Sequence, residues 1–238
     1  MLFLDEHWKE RQRADLKRAL ERRRVGTRWG MYIDPARCTG CRACQVACKA
    51  ENNTPPGVSY IVVLEESQGT APYARRTYIP KPCMQCASPS CVIVCPVSAT
   101  YATHDGIVVM DYMKCIGCRY CMTACPYASR YFDVGDEYGK GCDGEAAYDH
   151  RPSTEYSRVW PREHDTSPIG NARKCHYCQH RLTRGLLPAC IEACPTDAMV
   201  FGDLDDDRSL VKILISENAT HRMKEELGNE PKTYYKSS

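Results

Sequence analysis

Residues 83–126 read CMQCASPSCVIVCPVSATYATHDGIVVMDYMKCIGCRYCMTACP, and the punctuation of this stretch decides how the rest of the chain is read. It opens with Cys83-x2-Cys86-x4-Cys91-x3-Cys95 followed by Pro96, and closes with Cys115-x2-Cys118-x2-Cys121-x3-Cys125 followed by Pro126. Between the two groups lie a short β-prone run, an Asp105-Gly106 turn and a second run from Ile107 to Asp111. That order predicts an antiparallel hairpin. Each proline ends the loop before it and limits the backbone beyond.

Working outward, two further groups frame this one. Cys38-x2-Cys41-x2-Cys44-x3-Cys48 precedes it, and Cys175-x2-Cys178-x11-Cys190-x3-Cys194-Pro195 follows it. Sixteen of the seventeen cysteines in 238 residues fall into these four sets. An odd count and such tight spacing suit cross-links between distant segments poorly. A zinc ribbon needs two separated Cys-x2-Cys knuckles and does not explain three cysteines within seven residues. Three thiolates on one curled loop do reach three irons of a cubane, while the fourth, three residues on, serves the other cubane of a pair. The expectation is four [4Fe–4S] clusters. Every set has its fourth cysteine, so no iron is left open for substrate, and the chemistry is electron transfer rather than catalysis by this chain.

The hairpin marks motifs two and three as the halves of one bacterial two-cluster ferredoxin. Motifs one and four then form a second ferredoxin module, split in sequence by the first. Asp34 and Asp111 both stand four residues before the first cysteine of their motifs, and Cys194-Pro195-Thr196-Asp197-Ala198-Met199 repeats the pattern of Cys95-Pro96-Val97-Ser98-Ala99-Thr100. The expected fold is therefore α+β, two nested two-cluster ferredoxin-like modules with loop insertions. The expected divisions are an N-terminal helical extension (1–28), an outer split module (29–82 and 175–203), an inner module (83–126), an inserted loop region (127–174) and a C-terminal extension (204–238). Exchange of the fourth cysteine predicts the ligand sets Cys38, Cys41, Cys44 with Cys194 (cluster 1); Cys175, Cys178, Cys190 with Cys48 (cluster 2); Cys83, Cys86, Cys91 with Cys125 (cluster 3); and Cys115, Cys118, Cys121 with Cys95 (cluster 4). Pairing of adjacent motifs, one with two and three with four, is the competing arrangement.

The remaining sequence bounds the setting. Formal net charge is +2, which implies no nucleic-acid partner; four clusters of about −2 each would bring the total to roughly −6. Arg37, Arg42, Lys49, Lys81, Lys114, Arg119 and Lys174 neighbour the ligands, either offsetting that charge or simply as solvated surface. No stretch approaches the ~18 apolar residues of a membrane span, and no hydrophobic region follows the run Arg22-Arg23-Arg24, so neither a span nor a signal peptide is expected. Residues 5–24 predict a helix with a narrow apolar stripe (Trp8, Leu16, Ala19, Leu20), lying solvated on the domain or docking on a partner. A strand over Met199–Phe201 and a helix near 208–216 are expected beyond motif four. Cys142 is left over as a free loop thiol. His176, inside motif four, reads as a packed spacer, or else as a hydrogen-bonding neighbour of a cluster.

With CTGCRACQVACKAENN at 38–53, CIGCRYCMTACPYASRYF at 115–132, the fourth motif, and Glu226-Leu227-Gly228-x2-Pro231 with Tyr234-Tyr235, the chain resembles the iron–sulfur subunits of the dimethyl sulfoxide reductase family of molybdopterin oxidoreductases, of the polysulfide, tetrathionate, sulfite and arsenate type and related quinone-linked complexes. The resemblance covers roughly residues 29–235. It implies an electron relay between a molybdopterin catalytic subunit and a multi-span, quinone-reactive membrane subunit, with the chain itself peripheral on either membrane face. A relay in a hydrogenase or formate dehydrogenase complex and a free polyferredoxin are the alternatives. Lys49, where the other motifs carry proline, departs from the pattern. The substrate of the complex and the direction of electron flow lie outside this polypeptide.

Overall fold

In a computed structural model, residues 8–22, 26–135, 151–163 and 166–237 are described. In chain order the elements are α1 (Trp8–Glu21), β1 (Trp29–Ile33), α2 (Ala43–Asn52), β2 (Ile61–Gln68), β3 (Arg75–Pro82), α3 (Ser90–Ile93), β4 (Thr100–Ala102), β5 (Val108–Met110), α4 (Tyr120–Thr123), β6 (Tyr131–Phe132), β7 (Ala172–Arg173), α5 (Gln179–Leu182), α6 (Ala189–Glu192), β8 (Met199–Asp203), α7 (Leu210–Glu217), β9 (Thr220–His221) and β10 (Thr233–Lys236). The helices inside the cysteine motifs are single turns wherever Cys-Pro follows. α3, α4 and α6 each span four residues and end at Ile93, Thr123 and Glu192, shortly before Pro96, Pro126 and Pro195. A proline has no N–H to continue the ladder, and it pushes the residue before it out of helical φ/ψ. Lys49 imposes no such stop, and α2 runs ten residues to Asn52.

The pairing of strands follows the cysteine motifs they flank. β1, just before motif one, pairs antiparallel with β8, just after motif four, with Trp29 opposite Asp203 and Ile33 opposite Met199. β4 and β5, between motifs two and three, form the antiparallel hairpin, Thr100 opposite Met110 and Ala102 opposite Val108. The main sheet has the order β8-β1-β10-β9. The C-terminal β10 lies parallel to β1, Met31 opposite Thr233. Every residue of β1 and β8 is buried, which is why both read as continuous apolar runs rather than alternating ones. β10 and β1 approach closely at Gly30, where a Cβ would meet the Lys232 carbonyl oxygen at 2.8 Å and Leu204 Cδ1 at 2.5 Å.

The N-terminal helix packs on this sheet, so its narrow stripe has a partner within the chain. Leu16 and Ala19 are buried in the main core beside Trp29 and Phe201. Two polar side chains secure it: Phe201 N–H donates to Gln12 Oε1 at 2.9 Å, and Leu210 N–H donates to Asp15 Oδ2 at 2.7 Å. The first covers the outer edge of β8, where an unpaired backbone would otherwise be left. The segment read as a loop insertion also contributes to the interior. β6 and β7 pair across it, and Ser153, Glu155 and Trp160 are buried. Its composition, rich in Gly, Pro and Asp, marks no periodic element; the burial of these three residues follows from a polar network that spacing does not reveal. The Cys142 reading lies outside the described residues.

Candidate metal centres

The four cysteine groups open four cavities. The first is lined by Cys38, Cys41, Cys44 and Cys194, and the second by Cys48, Cys175, Cys178 and Cys190. The third has Cys83, Cys86, Cys91 and Cys125 on its wall, and the fourth has Cys95, Cys115, Cys118 and Cys121. In each, three thiols come from one motif and one from another. Among the described residues no three His, Cys, Asp or Glu side chains converge closely enough to hold a single metal ion. A zinc site would draw four ligands to ~2.0–2.3 Å of one centre; here four thiols instead surround a void. An all-thiol set round a void suits an iron–sulfur cubane, which spreads its ligands over four corners.

In motifs two, three and four the backbone after the last cysteine supplies hydrogen bonds to sulfur. Ala99 N–H donates to Cys95 Sγ at 3.2 Å, and Ala198 N–H donates to Cys194 Sγ at 3.3 Å, each from four residues beyond its cysteine. Ser129 N–H does the same for Cys125. In motif one the helix continues past Cys48, and a side chain replaces the backbone at the same offset. Asn52 Nδ2 donates to Cys48 Sγ at 3.5 Å and to Cys178 Sγ at 3.8 Å, two thiols of one cavity. The departure at Lys49 is thus what brings Asn52 to the sulfurs. Lys49 Nζ meanwhile donates to the carbonyl oxygens of Thr54, Pro55 and Val58, tying down the loop beyond.

The cavities follow one another in sequence. Cys44 of the first set acts on Cys190 of the second, Cys83 of the third on Cys175 of the second, and Cys91 of the third on Cys121 of the fourth. Tyr131 stands between the second and third; burial and the thiols of Cys83, Cys125, Cys48 and Cys175 push its phenol up to about 12. Burial pushes the Cys44 and Cys175 thiols up to about 12, with neighbouring thiols adding to it. Cluster formation must therefore supply the energy that deprotonates them, and it releases protons as it does so. Two ligand cysteines are exposed, Cys41 in the first set and Cys118 in the fourth.

Behind the second cavity lies a buried polar network that the sequence reading missed. Arg173 Nη2 meets Glu155 Oε2 at 2.6 Å and its Nη1 meets Asp133 Oδ2 at 2.8 Å, all three fully buried. Tyr60 and Tyr112 donate their hydroxyls to the same glutamate at 2.5 and 3.0 Å, and His176 Nε2 lies 3.3 Å from it. Burial alone would raise the Glu155 carboxyl, but Arg173, His176 and Tyr60 outweigh it and bring it down to about 2. His176 lines the second cavity, yet its ring belongs to this network: Nδ1 accepts from Gln179 N–H at 3.0 Å. No motif marks Glu155 or Arg173, because their partners are far away in sequence. Of the cations flagged beside the ligands, Arg42, Lys114 and Arg119 are exposed, whereas Lys174 is buried.

Comparison with known proteins bears on this arrangement. Residues 74–155 and 160–204 match the 4Fe-4S dicluster domain, and residues 29–50 match a 4Fe-4S binding domain. A selenate reductase subunit of Mesobacillus selenatarsenatis is 48% identical over 94% of this chain and 77% of its own length. The arsenate respiratory reductase iron-sulfur subunit ArrB of Shewanella sp. is 36% identical, covering 87% of this chain and 95% of that protein. The menaquinone reductase iron-sulfur cluster-binding subunit of Nitratidesulfovibrio vulgaris is 38% identical over 88% of this chain and 89% of its own.

Proposed function

The chain belongs to the family of 4Fe–4S dicluster iron–sulfur subunits of reductase complexes, and on that premise we propose that it relays electrons between a molybdopterin catalytic subunit and a quinone-reactive membrane subunit. It is an electron-transfer subunit that carries four [4Fe–4S] clusters, not a catalytic one. The observation that carries the proposal is the succession of four four-thiol cavities with exposed ligands, Cys41 and Cys118, only in the first and last sets. When bound, each cluster accepts and returns one electron. The protein's own part is to space the clusters, shield the inner two and present the outer two at its surface. Exposed apolar side chains neighbour both: Val46 beside the first set, and Met113, Ile116 and Tyr120 around Cys118. Such side chains suit partner surfaces.

The ligand sets follow the cavities: Cys38, Cys41, Cys44 and Cys194; Cys175, Cys178, Cys190 and Cys48; Cys83, Cys86, Cys91 and Cys125; Cys115, Cys118, Cys121 and Cys95. The pairing of β1 with β8 and of β4 with β5 supports two nested ferredoxin modules, the outer one split around the inner. No helix among the described residues is long and apolar enough to cross a membrane, and we place the chain peripherally, held at the membrane by its partners. Purification from native membranes in mild detergent tests the relay. Co-purification with a molybdenum protein and a multi-span protein is expected; recovery as a free monomer would reject it.

A further inference from the structure

The cavity lined by Cys83, Cys86, Cys91 and Cys125 differs from the other three in one respect: two buried cations, Arg130 and Lys174, lie on its wall. They are 4% and 1% exposed. The first cavity has Arg42 and the fourth Arg119, both facing solvent, and among the described residues the second has no Lys or Arg. Neither buried cation makes an ion pair with a carboxylate among the described residues. Arg130 donates to Cys91 Sγ at 3.1 Å, Met110 Sδ at 2.9 Å and Thr100 Oγ1 at 2.6 Å, and its Nε has no partner among the described residues. Among the described residues Lys174 donates only to the carbonyl oxygens of Val108 and Cys175. A buried charge without a counter-charge is strongly unfavourable. The anionic partner these two cations face is the thiolate-ligated cluster itself.

We propose that Arg130 and Lys174 are the potential-setting residues of the cluster held by Cys83, Cys86, Cys91 and Cys125, and that they raise its reduction potential. Reduction adds one electron and breaks no bond, so the cluster gains one negative charge that a nearby fixed positive charge favours. Charge and hydrogen bonds to sulfur are the terms that tune such potentials, and burial keeps them from being screened. The two cations also reach different neighbours. Arg130 also acts on the Cys121 thiol of the fourth set, while Lys174 precedes Cys175 and acts on that thiol of the second. The third cluster is the one both address, and the first is the one neither does.

The inference rests on the ligand sets above, and the test separates the two. In the holoprotein, Cys86→Ser and Cys125→Ser each identify the third cluster's signal in a potentiometric titration followed by electron paramagnetic resonance. Arg130→Met and Lys174→Met, each with iron and sulfide content measured, should then lower the reduction equilibrium of that signal at least tenfold, about 59 mV for a one-electron couple. The fourth-cluster signal should shift with Arg130→Met alone, the second with Lys174→Met alone, and the first with neither; Arg130→Lys should restore most of the effect. If Arg130→Met fails to load clusters, Lys174→Gln decides by the same pattern. An unmoved third-cluster signal, or equal shifts in all four, overturns the inference while leaving the ligand set standing. Different signals lost with Cys86→Ser and Cys125→Ser overturn the ligand set and the inference together.

Discussion

At the residue scale, Asn52 stands where it can tune the second cluster, because its amide donates to both Cys48 and Cys178. Hydrogen bonds to sulfur raise the potential of such a cluster by stabilising its more negative, reduced form. Asn52→Leu keeps the volume and removes both N–H···S bonds, so the midpoint potential of the cluster lost on Cys178→Ser should fall while the others hold; redox titration checks this. Lys232 offers a test by pH. Burial, then the charges of Lys174 and Arg28, lower its ammonium from the ordinary 10.5 to about 8. Between those values the unfolded chain binds the proton and the folded one does not, so stability from this group rises with pH across that window. Anaerobic denaturation should show the wild type gaining on Lys232→Met as pH climbs above about 8, with no gain below it. Neither residue announces itself in the sequence. The sixteen cysteines do, because a cubane's ligands on one loop must be close together along the chain. Asn52, Arg130 and Arg173 reach Cys178, Cys91 and Glu155 across 18 to 126 residues, and a lone polar residue carries no periodic mark.

Secondary elements were legible where chemistry punctuates the chain and obscure where only packing decides. The hairpin between motifs two and three follows from Asp105-Gly106 flanked by β-prone runs, and the helix near 208–216 from its apolar spacing; both stand within two residues of expectation. β10 was not foreseen. Four residues, Thr-Tyr-Tyr-Lys, gain strand character only because β1 offers an open edge with Gly30 at the close approach. α2 gives the sharpest prediction at this scale. Three motifs place proline after the fourth cysteine, which makes Lys49→Pro look harmless by analogy. In α2 that position is helix interior, so proline there removes a hydrogen bond and clashes with the preceding turn, costing about 3 kcal/mol. The same change also releases Asn52 from its sulfurs and removes the ammonium that ties down the loop at Thr54–Val58. Denaturant unfolding should show the loss of stability, and iron content the selective loss of the second cluster.

For the whole molecule, the question is connectivity: which motif completes which cluster. A chain with four motifs can pair them as neighbours or as nested halves, and cysteine spacing alone permits both. The case for nesting came from what surrounds the motifs, and the folded chain places matching features together: β1 on β8, and Cys194 on the wall with Cys38, Cys41 and Cys44. The two topologies make opposite demands on single substitutions. Under nesting, Cys194→Ser should perturb the same resonance as Cys41→Ser, and Cys48→Ser the same one as Cys178→Ser. Under adjacent pairing, Cys194→Ser would instead track Cys118→Ser, and Cys48→Ser would track Cys86→Ser. Serine keeps the shape of the ligand and weakens its bond to iron, so a local effect is expected, with about three quarters of the iron retained if only one of four clusters is lost. Coincidence of the Cys194→Ser and Cys178→Ser effects would sink the nested arrangement, because it would return the fourth cysteine of motif four to its own loop.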